Sequence, residues 1–140
     1  MALLYLPLKE EVERLIQESN GEYDKADYIK SVKLLEEAWD KLPYPKTMWD
    51  DSYHITKYII ETYLAINELQ QAKMWSSIIF ICDPERVDSG EREFLAGKIA
   101  FEAGDSDKAR ELFYVAKNKS EGRCFQGEDA KYINFIKQSV

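Results

Sequence analysis

The side chains able to do chemistry are few and scattered. His54 is the one histidine in 140 residues, and no cysteine stands near it in sequence. A metal site usually draws on three or four ligands, so His54 reads as a surface or groove residue and not as a ligand. Cys82 and Cys124 form no C-x-x-C pair, and Cys82 sits in an apolar run that reads as core. Carboxylates occur as neighbours, at Glu10-Glu11, Glu36-Glu37 and Asp50-Asp51. Adjacent residues on a helix point in different directions, so these pairs read as solvated faces and helix starts. There is no glycine-rich phosphate loop, no G-x-S-x-G and no H-E-x-x-H. The expectation is a protein without enzymatic activity, cofactor or metal, whose work is binding.

Composition narrows the partner. Hydrophobic residues make up 45% of the chain and aromatic residues 13%, enough for one domain with one core over 1–140. Lys and Arg number 19 against 26 Asp and Glu, a formal charge of -7. That disfavours nucleic acid and anionic membranes and favours a basic protein partner. Met1 to Leu8 is apolar but short, and it meets Pro7 and then charge, so neither a signal peptide nor a membrane span is expected. Two cysteines without a disulfide pattern fit a reducing, cytoplasmic setting.

Apolar spacing predicts the elements that would position a binding surface. Pro7 suits the first turn of a helix, with Val12, Leu15, Ile16 and Ser19 on one face and Asn20-Gly21 as its end or bend. Tyr23 to Asp27 reads as a connection. A second helix, about Asp27 to Leu42, is stopped by Pro43 and Pro45. Thr47 is the predicted cap of a third helix reaching about Ile66, apolar over a broad surface and so expected to be central. A fourth, about Gln70 to Cys82, carries the run Ile78 to Ile81, which predicts a second central helix.

Around Gly104-Asp105 the pattern is clearest. Ala109, Leu112, Phe113 and Ala116 recur at helical spacing after the turn. Gly97 falls mid-helix before it, where glycine costs about 1 kcal/mol against alanine, which calls for a close neighbouring helix. The order Gly97, Gly104, Ala109, Phe113, Ala116 resembles the tetratricopeptide repeat (TPR). Ser106 stands where the consensus aromatic would be, and the usual Trp early in the first helix is absent. Ser31 and Ala72 hold the position of Ala109 in two further hairpins, at steps of 41 and 37 residues, longer than the usual period of about 34. The resulting expectation is an all-α fold of about seven helices: three TPR-like hairpins and a C-terminal capping helix with Tyr132, Ile133 and Ile136 on one side.

In a TPR stack the first helix of each hairpin lines a concave groove. The resemblance therefore implies a groove holding His54, Lys57, Glu61 and Leu64 from the second hairpin, and Glu91, Phe94, Lys98 and Phe101 from the third. Phe94 and Phe101 read equally as core. Trp49 is the aromatic expected to be exposed. Aromatics flanked by charge suit a protein or peptide partner.

A second resemblance covers Gly97 to Phe135. Its end carries Gly122, Arg123, Phe125, Gly127, Glu128, Asp129, Lys131, Tyr132 and Phe135 in the pattern G-R-x-F-x-G-E-D-x-K-Y-x-x-F. This is similar to small bacterial TPR-like immunity proteins encoded beside polymorphic toxins. The resemblance implies binding and neutralisation of a cognate toxin domain; a generic TPR adaptor or chaperone is the other reading. It leaves the oligomeric state open.

Overall fold

Every regular element among the described residues is a helix. The computed structural model describes residues 3–138, and its contacts divide into two compact units, one up to Arg86 and one from Val87. In the first unit, α1 (Leu6–Asp24) packs on α2 (Tyr28–Lys41), and α3 (Asp50–Ala65) packs on α4 (Leu69–Ile79) and on α2. In the second, α5 (Glu91–Glu102) packs on α6 (Ser106–Ser120), and α7 (Ala130–Lys137) packs on α6. Short 3-10 turns at Lys46–Met48 and Arg123–Phe125 complete the elements. The seven predicted helices and three hairpins are present.

One turn is built three times. Ala26, Asn67 and Gly104 each take the left-handed conformation, at φ 62°, 58° and 81°. Each donates its N–H to the carbonyl three residues back, on Tyr23, Leu64 and Phe101. The next residue donates to the carbonyl five back: Asp27 to Glu22, Glu68 to Tyr63 and Asp105 to Ala100, each at 2.9 Å. This double closure of the last helical carbonyls is the Schellman motif. Asp27, Glu68 and Asp105 then open the following helix with φ, ψ of -89°, 73°; -88°, 73°; and -87°, 78°. Asp27 and Asp105 also accept from the N–H of Lys30 and Lys108, satisfying an otherwise orphaned donor. Four residues beyond each opening stand Ser31, Ala72 and Ala109, all buried.

Those small residues sit where the helices meet. In the third hairpin, a Cβ on Gly97 would lie 2.7 Å from the Phe113 ring, so only glycine admits that ring. Gly97 and Ala109 are 12 residues apart, as are Ser19 and Ser31 in the first hairpin. There the two hydroxyls cross-link the helices: Ser19 Oγ donates to the Ser31 carbonyl at 2.9 Å, and Ser31 Oγ to the Ser19 carbonyl at 3.0 Å. Both serines are fully buried, and both are satisfied. Helix α3 is central in its unit, burying Tyr53, Ile55, Ile59 and Ile60.

Three local expectations are corrected. Helix α1 runs through Asn20-Gly21 to Asp24 and ends at the Ala26 turn, so Tyr23 is helical. Thr47 does not cap α3; Trp49 occupies the cap, and Ser52 Oγ donates back to the Trp49 carbonyl at 2.6 Å. Helix α4 stops at Ile79, and beyond it Phe80 and Ile81 are exposed while Cys82 is buried. The run Ile78 to Ile81 therefore does not form the all-round buried helix its composition suggests.

Two stability tests follow from this geometry. An L-residue pays about 1–2 kcal/mol in the left-handed region, part of which glycine's greater unfolded-state entropy offsets. Ala26→Gly should then gain about 0.5–1 kcal/mol in urea unfolding, and Gly104→Ala should lose a similar amount. Gly97→Leu should cost at least about 1–3 kcal/mol by overpacking against Phe113. An unchanged unfolding midpoint in Gly97→Leu would contradict the close contact.

Candidate functional site

A cleft opens among α1, α2 and α3 of the first unit. Its volume is about 130 Å³, and Asn20, Tyr23, Leu35, Tyr58, Glu61 and Thr62 are among the residues lining it. Asn20 and Tyr23 reach it because α1 continues past Gly21, which puts them one turn apart on the same helical face. The buried Ser19–Ser31 pair lines it too, its hydroxyl protons already engaged. Thr62 Oγ1 is likewise turned inward, donating to the Tyr58 carbonyl at 2.7 Å. Tyr23 stacks edge-on against Tyr28, with ring centroids 5.0 Å apart. Burial, followed by Tyr28 and the Glu61 carboxylate, pushes the Tyr23 hydroxyl above its ordinary value. No lysine, arginine or histidine lines the cleft among the described residues.

Of the residues expected in the groove, Glu61 is the one that lines this cleft. Lys57 and Glu61 are both half-buried on α3, four residues apart, the spacing at which opposite charges on a helix meet. His54, also half-buried, lies further back along α3. Burial, with the Arg86 guanidinium nearby, holds its imidazole below the ordinary value, and Arg86 itself stacks 3.8 Å over the Tyr53 ring. Trp49 is half-buried, its Nε1 donating to the Pro43 carbonyl at 2.9 Å. The exposed aromatic of that loop is Tyr44, at 93%. The indole is drawn in because it stands at the α3 cap, where the loop folds back over it.

The second unit holds the four expected from the third hairpin. Glu91 is half-buried in the first turn of α5. Phe94 is core: its ring lies 4.9 Å from Phe125, 5.6 Å from Phe113 and 6.1 Å from Tyr132. Lys98 is also buried, its Nζ donating to Glu128 at 3.1 Å and lying 5.1 Å from the Phe94 ring centre. Phe101 stacks on Tyr132 and Phe135 at 5.3 and 5.2 Å. Of the two open readings of Phe94 and Phe101, the structure selects core for Phe94 and leaves Phe101 half-buried against the same cluster.

The segment Gly122 to Phe135 has structural work at nearly every motif position. Gly122 and Gly127 are left-handed, Phe125 and Phe135 pack on the aromatic cluster, and Tyr132 is buried in it. Tyr132 also donates to Glu102 at 3.1 Å, Lys131 pairs with Glu102 at 2.7 Å, and the Asp129 carboxylate caps α7. Arg123 is the exception. It is largely exposed, with the Glu121 carboxylate 4.0 Å away, a pair worth little in water.

Among the cleft residues, Asn20, Tyr23 and Tyr58 were not expected on a binding surface. The signal was there for Tyr58, one turn before Glu61, but not for the other two, which depend on where α1 ends. No family model matches this chain, and no curated protein does. What the fold and cleft define is a helical-hairpin repeat carrying an acidic, tyrosine-lined recess. Among the described residues no three His, Cys, Asp or Glu side chains gather as metal ligands would, and no helix is long and apolar enough to cross a membrane.

The depressed His54 pKa sets the sign of a pH effect. The unfolded chain takes up this proton first, at its ordinary value of about 6.5. His54 thus stabilises the fold fully above that pH, and the contribution is lost as pH falls through the folded value. The stability measured between pH 7 and pH 5 should decline, and His54→Gln should flatten that decline; a slope unchanged by the substitution would contradict it. Phe94→Ala should lower stability by about 3–5 kcal/mol as a core deletion, while Glu61→Gln should stay within about 0.5 kcal/mol.

Proposed function

We propose that this chain is a non-catalytic protein-binding module of the TPR-like kind that neutralises a cognate bacterial toxin domain in the cytoplasm. The observation that carries the binding reading is the recess among α1, α2 and α3, with a carboxylate and two tyrosines on a chain of charge -7. At about 130 Å³ it is well below the range of about 300–1,000 Å³ typical of small-molecule sites. A feature of this size suits one side chain of a larger partner. The thrice-repeated hairpin turn supports the TPR-like class. The toxin as partner is supported by the resemblance over Gly97 to Phe135, and a reducing compartment by two free cysteines.

The charge supplies long-range attraction to a basic partner, and buried anchors supply most of the final affinity. The deciding experiment is to look for a toxin domain encoded beside this chain's gene and to co-express the two. Growth should be restored only when both are made, and the purified pair should bind directly. Association should slow on the order of tenfold as salt is raised from low to physiological levels, and Glu61→Lys with Glu91→Lys should slow it further. Cells that die with or without this chain, with no complex formed, would leave an adaptor or chaperone for another protein as the better reading.

A further inference from the structure

We infer that the recess among α1, α2 and α3 is a receptor for a single lysine side chain presented by the protein partner, with Glu61 as counter-charge and Tyr23, Tyr58 and Asn20 as its walls. The inference deepens the binding reading above and rests on it for the origin of the lysine.

Three observations point the same way. The first is electrostatic. The lining includes one carboxylate and no cationic group among the described residues, so the charge carried by the wall itself is negative. The second is the inventory of polar atoms. The hydroxyls of Ser19, Ser31 and Thr62 spend their protons on backbone carbonyls, so they offer a guest no donor. Glu61 and the Asn20 side-chain carbonyl add acceptors. An ammonium brings three donors and no acceptor, which is the complementary set. The third is size and shape. About 130 Å³ is the room of about four waters at about 30 Å³ each. That accommodates a four-carbon stem and its head group. Leu35 and the Tyr23 and Tyr58 rings line the space the stem would occupy. An aromatic face beside an ammonium adds cation–π attraction. Arginine's wide planar fork gains most from a bidentate carboxylate in an open site; a narrow recess with a single carboxylate favours the compact head of lysine.

Glu61 shares its helix with Lys57, one turn away. A guest ammonium would join that local charge arrangement, so the affinity of one isolated side chain should be weak, and the probe must be used at millimolar concentration. The test is a nuclear magnetic resonance titration of the whole chain with N-acetyl-lysinamide, N-acetyl-argininamide and N-acetyl-norleucinamide. Lysinamide should shift the resonances of Asn20, Tyr23, Tyr58 and Glu61 as one saturating set. Norleucinamide, which has the stem without the charge, should bind at least tenfold more weakly, and argininamide should fall between. Glu61→Gln should weaken lysinamide at least tenfold, while Glu37→Gln, which removes one charge from an exposed position on α2, should change it less than twofold. If Glu61→Gln does not fold, Tyr23→Leu should weaken lysinamide as well.

Equal binding of norleucinamide and lysinamide, equal loss from Glu37→Gln, or no saturable shift at the recess would each overturn the inference. Failure of the binding reading looks different. In that case lysinamide would still saturate the recess while no toxin domain formed a complex. Conversely, a toxin complex indifferent to Glu61→Gln, with no lysinamide binding, would sink the lysine receptor and leave the binding reading standing.

Discussion

Two helices joined by a turn of two or three residues have little freedom in where they cross, and a large side chain at the crossing would hold them apart. The hairpins at the two ends of the chain meet that constraint with small residues at the same offset. Gly97 and Ala109 let the Phe113 ring lie against the α5 backbone. Ser19 and Ser31 sit at the same interval and convert close approach into reciprocal hydrogen bonds. A buried hydroxyl without a partner would cost about 1–3 kcal/mol, so the serine solution works only because the two are paired. The middle hairpin keeps Ala72 but has Ile60 at the matching interval, and both are fully buried.

Around these contacts each unit spends its polar groups on holding helices in register. Lys9 pairs with Asp51 across α1 and α3 at 3.3 Å, Lys41 with Glu11 across α2 and α1 at 3.3 Å, and Tyr63 donates to Glu36 across α3 and α2. In the second unit Lys119 bridges Asp88 and Glu93 at 2.7 and 3.1 Å, and Lys98 reaches Glu128. The exposed pairs among them, such as Lys41 with Glu11, add little stability individually. Their consequence for function is subtraction: charges committed to the scaffold are unavailable to a partner. Lys98, expected in a groove, is consumed this way, and Phe94 is consumed by the aromatic cluster. The recess of the first unit has Glu61, Tyr23 and Tyr58 among its lining residues.

Much of the fold was legible in the sequence, for identifiable reasons. Gly104-Asp105 announces a left-handed residue followed by a cap, and apolar residues recur at helical spacing on both sides. The small residues Ser31, Ala72 and Ala109 mark the same place in three hairpins, even though their steps of 41 and 37 residues are irregular. The breadth of apolar surface on α3 announces its central place. These are properties of single helices and single turns, where a residue's own conformational preference and its neighbours four positions away dominate the energy.

The first turn was not legible, because alanine carries no turn signal. Gly21 offers one, yet it lies inside α1, while Ala26 bears the left-handed conformation. Helix α1 stops at the Ala26 turn, from which α2 brings Ser31 onto Ser19, a tertiary contact that local propensity does not signal. That end point places Asn20 and Tyr23 on a helix face and thereby builds the recess. Composition, charge, the helical class and the hairpin pattern were determined by the sequence by itself, since each depends on local spacing. The identity of the recess, the burial of Phe94 and Lys98, and the inward turn of Trp49 were decided only by the tertiary structure, because burial depends on which distant residues arrive at the same place.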